Sequence, residues 1–569
     1  MPSTAPSEPV PPEDAADRIL VGGRVHTVDP LLPTAGAVAI AEGRIVAVGA
    51  ADDVVAFFRG ARTEVVDVGG RSVLPGFQDA HIHAPIGGAQ TRQCDLHTAD
   101  DRAGYLEVVA KYAAAHPDAA WIRGGGWAMD RFPGGTPRKE DLDAIVPDRP
   151  VFLPNRDGHG AWVNSRALEL AGVTAATPDP SDGRIERDPD GAPSGTLHEG
   201  AMHLVDRLIP PLTAQEWEDG LLHGQAYLHT LGITGWQDAI VGASYDSLDT
   251  YIRLTEQGRL TARVVAALWW ERSRGAEQIA DLVERRARAE ASGFRATSVK
   301  IMQDGVLENF TAAVLEPYLG VDGLPTDNRG ISFVDPALLA EVVPELDRLG
   351  FQVHFHALAE RAVRESLDAI EAARSANGMN DLRHHIAHIQ IVHPDDIPRF
   401  RTVGAVANMQ PLWATYEPQM TELTMPFIGE ERTGWQYPFA SLLRAEVPLA
   451  AGSDWPVTSA DPLWEIAVAV HRRHPRNRGG RGRAADETFL PEERLTLDQA
   501  IEAFTLGSAY VNHLDDRVGS ISVGKEADLV IADRDLAEQD LEGLGEATIE
   551  CTMVAGRAVH AVGPFAGLA

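Results

Sequence analysis

Eight short apolar runs, each closing on polar side chains and the later ones separated by amphipathic helices, constrain this chain more than any other feature. They are VLPGFQDAHIHA, GITGWQDAIV, ARVVAALWW, ATSVKIMQDG, FQVHFHALAE, RHHIAHIQIV, VGAVANMQPLW and VPLAAGSDWPV. Strand–helix alternation marks an α/β architecture. Eight such units in succession predict a (β/α)8 barrel of the TIM type rather than an open doubly wound sheet. Helical segments such as PALLAEVVPELDRLG and ERAVRESLDAIEAARSANG end in Gly, as helices often do. No GxGxxG or Walker loop supports a nucleotide-binding alternative.

One spacing distorts this plan. The first strand ends near His83 and the second begins near Gly232, so an insertion of about 100 residues or more lies between them. We place it at about 95–225 and read it as a lid-like subdomain over the barrel mouth. The chain ends differ in texture from the barrel. ILVGGRVHTV, AVAIAEGRIVAVG and TEVVDVGGRSVLPG near the start, and VGSISVGKEADLVIADRD and ECTMVAGRAVHAVG near the end, are Val- and Ile-rich runs cut by Gly or Pro. Both ends are expected to pair into one small β-sandwich domain, 18–73 with 515–569, around a barrel of 74–514. Residues 1–17 read as a disordered leader. RRHPRNRGGRGRAADETF, within an acidic protein, reads as a flexible surface loop.

Composition narrows the function. The formal charge of −33 would repel nucleic acid and anionic membranes, leaving a small molecule as the expected partner. Two cysteines, Cys94 and Cys551, give no disulfide framework and no CxxC zinc motif. No signal peptide or membrane-spanning run is visible. A reducing cytoplasm is the expected location, and assembly into a homo-oligomer is compatible with a barrel of this size.

In such barrels the reactive groups stand at the carboxyl ends of the strands. Strand one ends in Asp79-Ala-His81-Ile-His83, and period two puts both imidazoles on one face, within reach of one metal. Strand four carries Lys300. A buried lysine there must be neutral, paired with a group such as Asp304, or carboxylated by carbon dioxide into an anionic ligand. Strand five offers His354 and His356; strand six offers His384, His385 and His388. Strand eight ends in Gly452-Ser453-Asp454-Trp455-Pro456, which raises Asp454 to the rim. Polar groups at five strand ends together point to a metal site.

The order HxH, Lys, His, His, Asp on strands one, four, five, six and eight resembles the amidohydrolase superfamily, and LPGFQDAHIH is similar to its opening signature. More narrowly the chain looks like amidohydrolase family 3, whose members include N-substituted formamide deformylases. RDGHGAWVNSRALELAG, SVKIMQDG, FHALAERAV, IAHIQ, GSDWPV and LTLDQAIEAFTLGSAYVNHLDDRVGSISVGKEADLVIAD carry this resemblance from about Arg18 to the end. It implies that His81 and His83 bind the more buried of one or two divalent metals, zinc being the ion expected. It implies further that Lys300, as a carbamate, bridges to a second metal held by His356 and His388, and that Asp454 binds the first metal and acts as base. The chain departs from the family at Glu360, where Asp is usual, and at Leu-Ala before it.

The implied reaction is hydrolysis of a C–N bond of the amide or formamide type. A divalent metal lowers the pKa of a bound water from about 15.7 to about 7, and Asp454 would take that water's proton and deliver it to the departing amine. His159 is read either as a substrate ligand or as a histidine fixing a turn. Trp127 and Trp413, with Trp269, Trp270 and Trp455, fall on candidate rim segments that could line an apolar pocket or belong to the core. The same site could instead cut a cyclic amide, a lactone or a phosphoester, or the barrel could be a silent binding scaffold.

Overall fold

The computed structural model describes residues 15–243 and 247–568. Eight parallel strands form the barrel: Phe77–Ile82, Ile233–Val241, Arg263–Trp269, Arg295–Met302, Gln352–Ala357, His385–His388, Val406–Met409 and Leu449–Ala451. We number them one to eight. Each coincides with one of the eight apolar runs. Almost every residue in them is buried, because one face fills the barrel and the other receives the helices. Strand eight meets strand one through two backbone hydrogen bonds at the rim: Asp454 N–H donates to His81 O at 2.7 Å, and His83 N–H to Trp455 O at 2.9 Å.

The helices obey their end signals. Asp335 caps Pro336–Arg348 by accepting the Ala337 N–H, and Gly378, at φ 81°, terminates Glu360–Asn377. These two helices bury Val342, Val343 and Leu346 on one side and Val363, Leu367 and Ile370 on the other.

The insertion after strand one folds as a unit with its own six-stranded sheet. Its strand order is 183–187, 193–199, 160–163, 151–154, 122–125 and 94–95. Trp127, Phe132, Trp162 and Tyr105 interlock in its core. Trp127 is fully buried there and donates its indole N–H to Leu153 O at 2.7 Å. This corrects the expectation that Trp127 lines a substrate pocket: the GGGWAMD segment turns inward to stabilise the insertion itself. Cys94 is a buried free thiol in the same core. A helix, Ala214–Thr230, opened by a Thr213/Glu216 capping box, then leads into strand two.

The chain ends share one eight-stranded sheet, joined where Ser72–Pro75 runs antiparallel to Leu529–Ala532. Alternation covers both faces: Leu20, Val38 and Ile40 face one apolar cluster, while Ile19, Ala37 and Ala39 face another. Arg263 of strand three ties this sheet to the barrel through Asp528 at 2.6 Å and Glu526 at 2.5 Å.

Most of the expected leader lies outside the described residues. Its last residues are already structured, since Ala16 N–H donates to Phe58 O and Asp17 N–H to Ile40 O. The basic segment is pinned rather than free. Arg472 is fully buried and donates to Phe489 O and Tyr437 O, while Arg476, Arg478 and Arg483 pair with Asp486, Asp461 and Glu487. Residues 303–335, after strand four, form a long connection with a small apolar cluster around Leu307, Val314 and Tyr318.

Candidate metal centre

The strand ends converge on Asp454. One of its carboxylate oxygens lies 3.3 Å from His81 Nε2 and 3.0 Å from His83 Nε2, and the other lies 3.9 Å from His388 Nδ1. His81, His83 and Asp454 present ligand atoms all within 4.8 Å of one another. The His388 ring stands 4.7 Å from His81 and 4.4 Å from His356, centroid to centroid. Lys300 Nζ approaches His81 Nε2 at 3.5 Å.

Local backbone explains why these side chains face one point. His388 and Asp454 both adopt positive φ, 75° and 59°, which non-glycine residues rarely do. Each turns its strand end back over the barrel mouth. Asp79 binds strand one to strand eight: it accepts the His81 N–H at 3.0 Å and the Ser453 hydroxyl at 2.6 Å. Burial pushes its carboxyl up to about 7.

Burial also raises the cost of charge on Asp454, yet the imidazoles of His81, His83 and His388 hold its carboxyl well below the usual range. Burial drives the Lys300 ammonium down to about 7, against the pull of Asp454 and Asp238. The same desolvation holds His356 and His388 well below the ordinary histidine value.

A divalent cation fits this donor set. His356 Nε2 and His388 Nε2 are buried and have no hydrogen-bond partner among the described residues, although a buried imidazole nitrogen normally has one. Both rings line the cavity that holds Asp454. Orphaned imidazole nitrogens beside a carboxylate are what a metal of this class takes as ligands. His354, His384 and His385 play other parts: His354 and His385 lie deeper in the barrel, and His384 pairs with Asp347 at 2.9 Å outside the cavity.

Above the centre, a cavity of about 370 Å³ is lined by Ile86, Ile240, Trp269, Met302 and Val457 with His83, Lys300 and His159. His159 hangs over it from the insertion, its ring 5.5 Å from that of His356. Its Nδ1 lies 2.8 Å from the buried carboxylate of Glu199. Burial would lower the His159 imidazolium, but Glu199 and Asp157 raise it to about 9. Glu199 also accepts from Thr311 at 2.9 Å. Neither Glu199 nor Asp157 stands out in the sequence, because acidic residues are common in this chain. Trp413 lines both a small pocket beside His388 and a side cavity of about 540 Å³ shared with Trp455. Trp270 is buried away from both cavities. Glu360 stands apart from the ligands, accepting the Leu315 N–H at 3.0 Å.

Comparison with known proteins agrees with this architecture. A family model described as the amidohydrolase family matches residues 64–560. Protein LONG AFTER FAR-RED 3 of Arabidopsis thaliana is 31% identical over 98% of this chain and 94% of its own length. An N-substituted formamide deformylase of Arthrobacter pascens is 28% identical over 95% and 97% of the two chains. The solved structure of an uncharacterised metal-dependent hydrolase from Pyrococcus furiosus superposes with a TM-score of 0.65 at 26% identity, covering 91% of this chain and 99% of that one. The matched span takes in the whole barrel with all its candidate ligands, and the chain belongs to the amidohydrolase family.

Proposed function

We propose that this hydrolase cleaves the C–N bond of a small amide, of the N-substituted formamide type, with His81, His83, Lys300, His356, His388 and Asp454 holding one or two divalent metal ions, zinc first among them. The observation that carries the reading is the pair of orphaned nitrogens, His356 Nε2 and His388 Nε2, on rings that line the same cavity as the carboxylate that His81 and His83 already surround. Support for the substrate class comes from the relative that is named a formamide deformylase and aligns over almost the full length.

A bound divalent metal supplies Lewis acidity, which polarises a carbonyl and makes water a nucleophile at neutral pH. The chain's own residues do the rest. Asp454 is ionised and lies beside the imidazoles, where it can accept a proton from water and return it to the amine nitrogen as the C–N bond breaks. His159, charged and held by Glu199, is placed to donate to the substrate oxygen from the opposite side. Trp269, Ile240 and Met302 receive the apolar substituent. Lys300, if carboxylated, adds an anionic bridging ligand.

Elemental analysis of protein purified without chelators, together with a panel of N-formyl, N-acyl, hydantoin and lactone substrates, tests the reading. One or two equivalents of metal with turnover of the N-formyl amines is the expected result. A protein that takes up no metal from zinc and bicarbonate sinks the metal centre. A metal-loaded protein that opens only the lactones sinks the bond assignment.

A further inference from the structure

A continuous line of buried hydrogen bonds runs from the floor of the barrel to the metal centre. It starts at Gln352, whose Nε2 donates to two backbone carbonyls, Arg383 O at 2.9 Å and Val511 O at 2.7 Å. Carbonyl oxygens only accept, so the orientation of this amide is fixed and its Oε1 faces inward. That oxygen accepts from Gln237 Nε2 at 3.0 Å. The Oε1 of Gln237 is therefore turned to two imidazoles, His354 Nδ1 at 2.6 Å and His385 Nε2 at 3.0 Å. An amide oxygen cannot donate, so both of these nitrogens carry hydrogen.

Asn408 gives an independent check. Its Nδ2 donates to Ala80 O at 2.9 Å and also meets His385 Nδ1 at 3.2 Å. His385 Nδ1 is thus the bare nitrogen, as the Gln237 contact requires. The ring of His354 is fully buried and its hydrogen-bond partners are an amide oxygen and another imidazole. A charge there would lack a counterion, so the ring is neutral. With hydrogen on Nδ1, its Nε2 holds a lone pair, and that lone pair faces His81 Nδ1 at 2.8 Å. His81 must donate from Nδ1, and its Nε2 meets Lys300 Nζ, a donor, at 3.5 Å, so Nε2 is the bare nitrogen, 3.3 Å from Asp454.

We infer that Gln352, Gln237 and His354 form a relay that fixes the tautomer of His81, and that Gln237 and His354 are positioning residues for the metal centre. The inference rests on the reading of His81 as a ligand. It supplies what that reading needs, a metal-facing lone pair set before any ion arrives. It also fits the surroundings of His81 Nε2, which has Lys300 Nζ at 3.5 Å and an Asp454 oxygen at 3.3 Å: a lone pair there is free to share a cation with the carboxylate. Outer hydrogen bonds of this kind orient a ligating histidine and raise its basicity. Here the acceptor is a second imidazole, locked in turn from the far end of the barrel.

Two measurements decide it. In metal-free wild type labelled with 15N-histidine, long-range proton–nitrogen spectra should show hydrogen on Nδ1 of both His81 and His354. Hydrogen on Nε2 of His81 overturns the relay, whether or not the protein binds metal. In zinc competition titrations, His354→Leu should weaken binding by about 10–100-fold. His354→Gln should restore it to within a few-fold, because its amide oxygen can still accept from His81. Gln237→Leu, which does not touch His81 in this structure, should give part of the same loss and shift the visible spectrum of the cobalt-substituted protein. Zinc binding as tight as wild type in His354→Leu, or a Gln variant no better than Leu at equal thermal stability, overturns the proposal. Wild type that binds no zinc overturns the metal-centre reading instead, while the nitrogen spectra still decide the tautomer.

Discussion

Gly452→Ala is the smallest change that should disable the site without replacing a candidate ligand. A methyl group on Gly452 would stand 2.4 Å from the His81 amide nitrogen and 2.8 Å from the His81 Cβ. Ordinary contact begins at 3.4 Å, so strands one and eight would have to part by about 1 Å, and the amide nitrogen in the way is backbone that cannot rotate aside. The rim hydrogen bonds from Asp454 to His81 and from His83 to Trp455, at 2.7 and 2.9 Å, would stretch beyond useful range. Their loss costs about 0.5–1.5 kcal/mol each, and with about 1–3 kcal/mol for the strain of overpacking we expect a destabilisation of about 2–6 kcal/mol. Asp454 lies two residues on, so its carboxylate would shift with the strand, and a displacement near 1 Å can cost about 100-fold in turnover. Gly49→Ala is the control: its methyl meets only Val54 Cγ2, at 3.7 Å. Thermal midpoint, metal content and turnover of an N-formyl amine would be measured for both. A Gly452→Ala protein that matches wild type in all three would refute the claim that the close approach of strands one and eight builds the site.

Asp454→Asn should lower turnover by about 10²–10⁴-fold, the usual contribution of a positioned proton carrier, while elemental analysis still finds metal. Full activity in that variant would remove Asp454 from the chemistry. Lys300→Ala should reduce the metal bound per chain, and bicarbonate should not restore it; unchanged metal content would show that Lys300 is not a ligand. Arg263→Ala leaves Asp528, only 1% exposed, without its partner. Breaking such a buried pair costs about 3–5 kcal/mol, so the thermal midpoint should fall while turnover well below that midpoint stays near wild type.

The barrel and its rim were legible in the sequence because they depend on short-range regularities. Period two aligned His81 with His83, strand-end position singled out Lys300 and Asp454, and the family resemblance chose His388 among the three histidines of strand six. The same periodicity could not separate His354 from His356, since both point into the barrel. They differ in depth: His356 reaches the cavity, and His354 lies one layer below, bonded to His81 and Gln237. Gln237 in ITGWQDAIV looks like any strand residue, for its meaning lies in partners 115 and 275 residues away. Trp127 was misleading for a related reason. An aromatic side chain in a Gly-rich segment suits a rim or a core equally, and only the packing of Phe132 and Trp162 decides. The arginines of the basic segment likewise find acceptors that sequence does not reveal, among them the backbone carbonyls of Phe489, Tyr437 and Gly545.

What the sequence hides most completely is where the fold accepts strain. Three non-glycine residues lining the cavity of about 370 Å³ have positive φ: His388 at 75°, Asp454 at 59° and Glu199 at 52°. Such conformations cost about 1–3 kcal/mol each and persist only when their surroundings over-determine them. Here each strained residue has its own amide pinned by another element. His388 N–H donates to Gln410 Oε1 at 2.8 Å, Asp454 N–H to His81 O at 2.7 Å and Glu199 N–H to His159 O at 3.0 Å. Two of the three aim candidate ligands, and the third aims the carboxylate that orients His159. The strain therefore lies on both halves of the site, the barrel rim and the insertion. That distribution supports the proposed part of the insertion in the reaction, through His159: a loop that merely shielded the cavity would have no need to hold Glu199 against its preferred backbone in order to fix one imidazole.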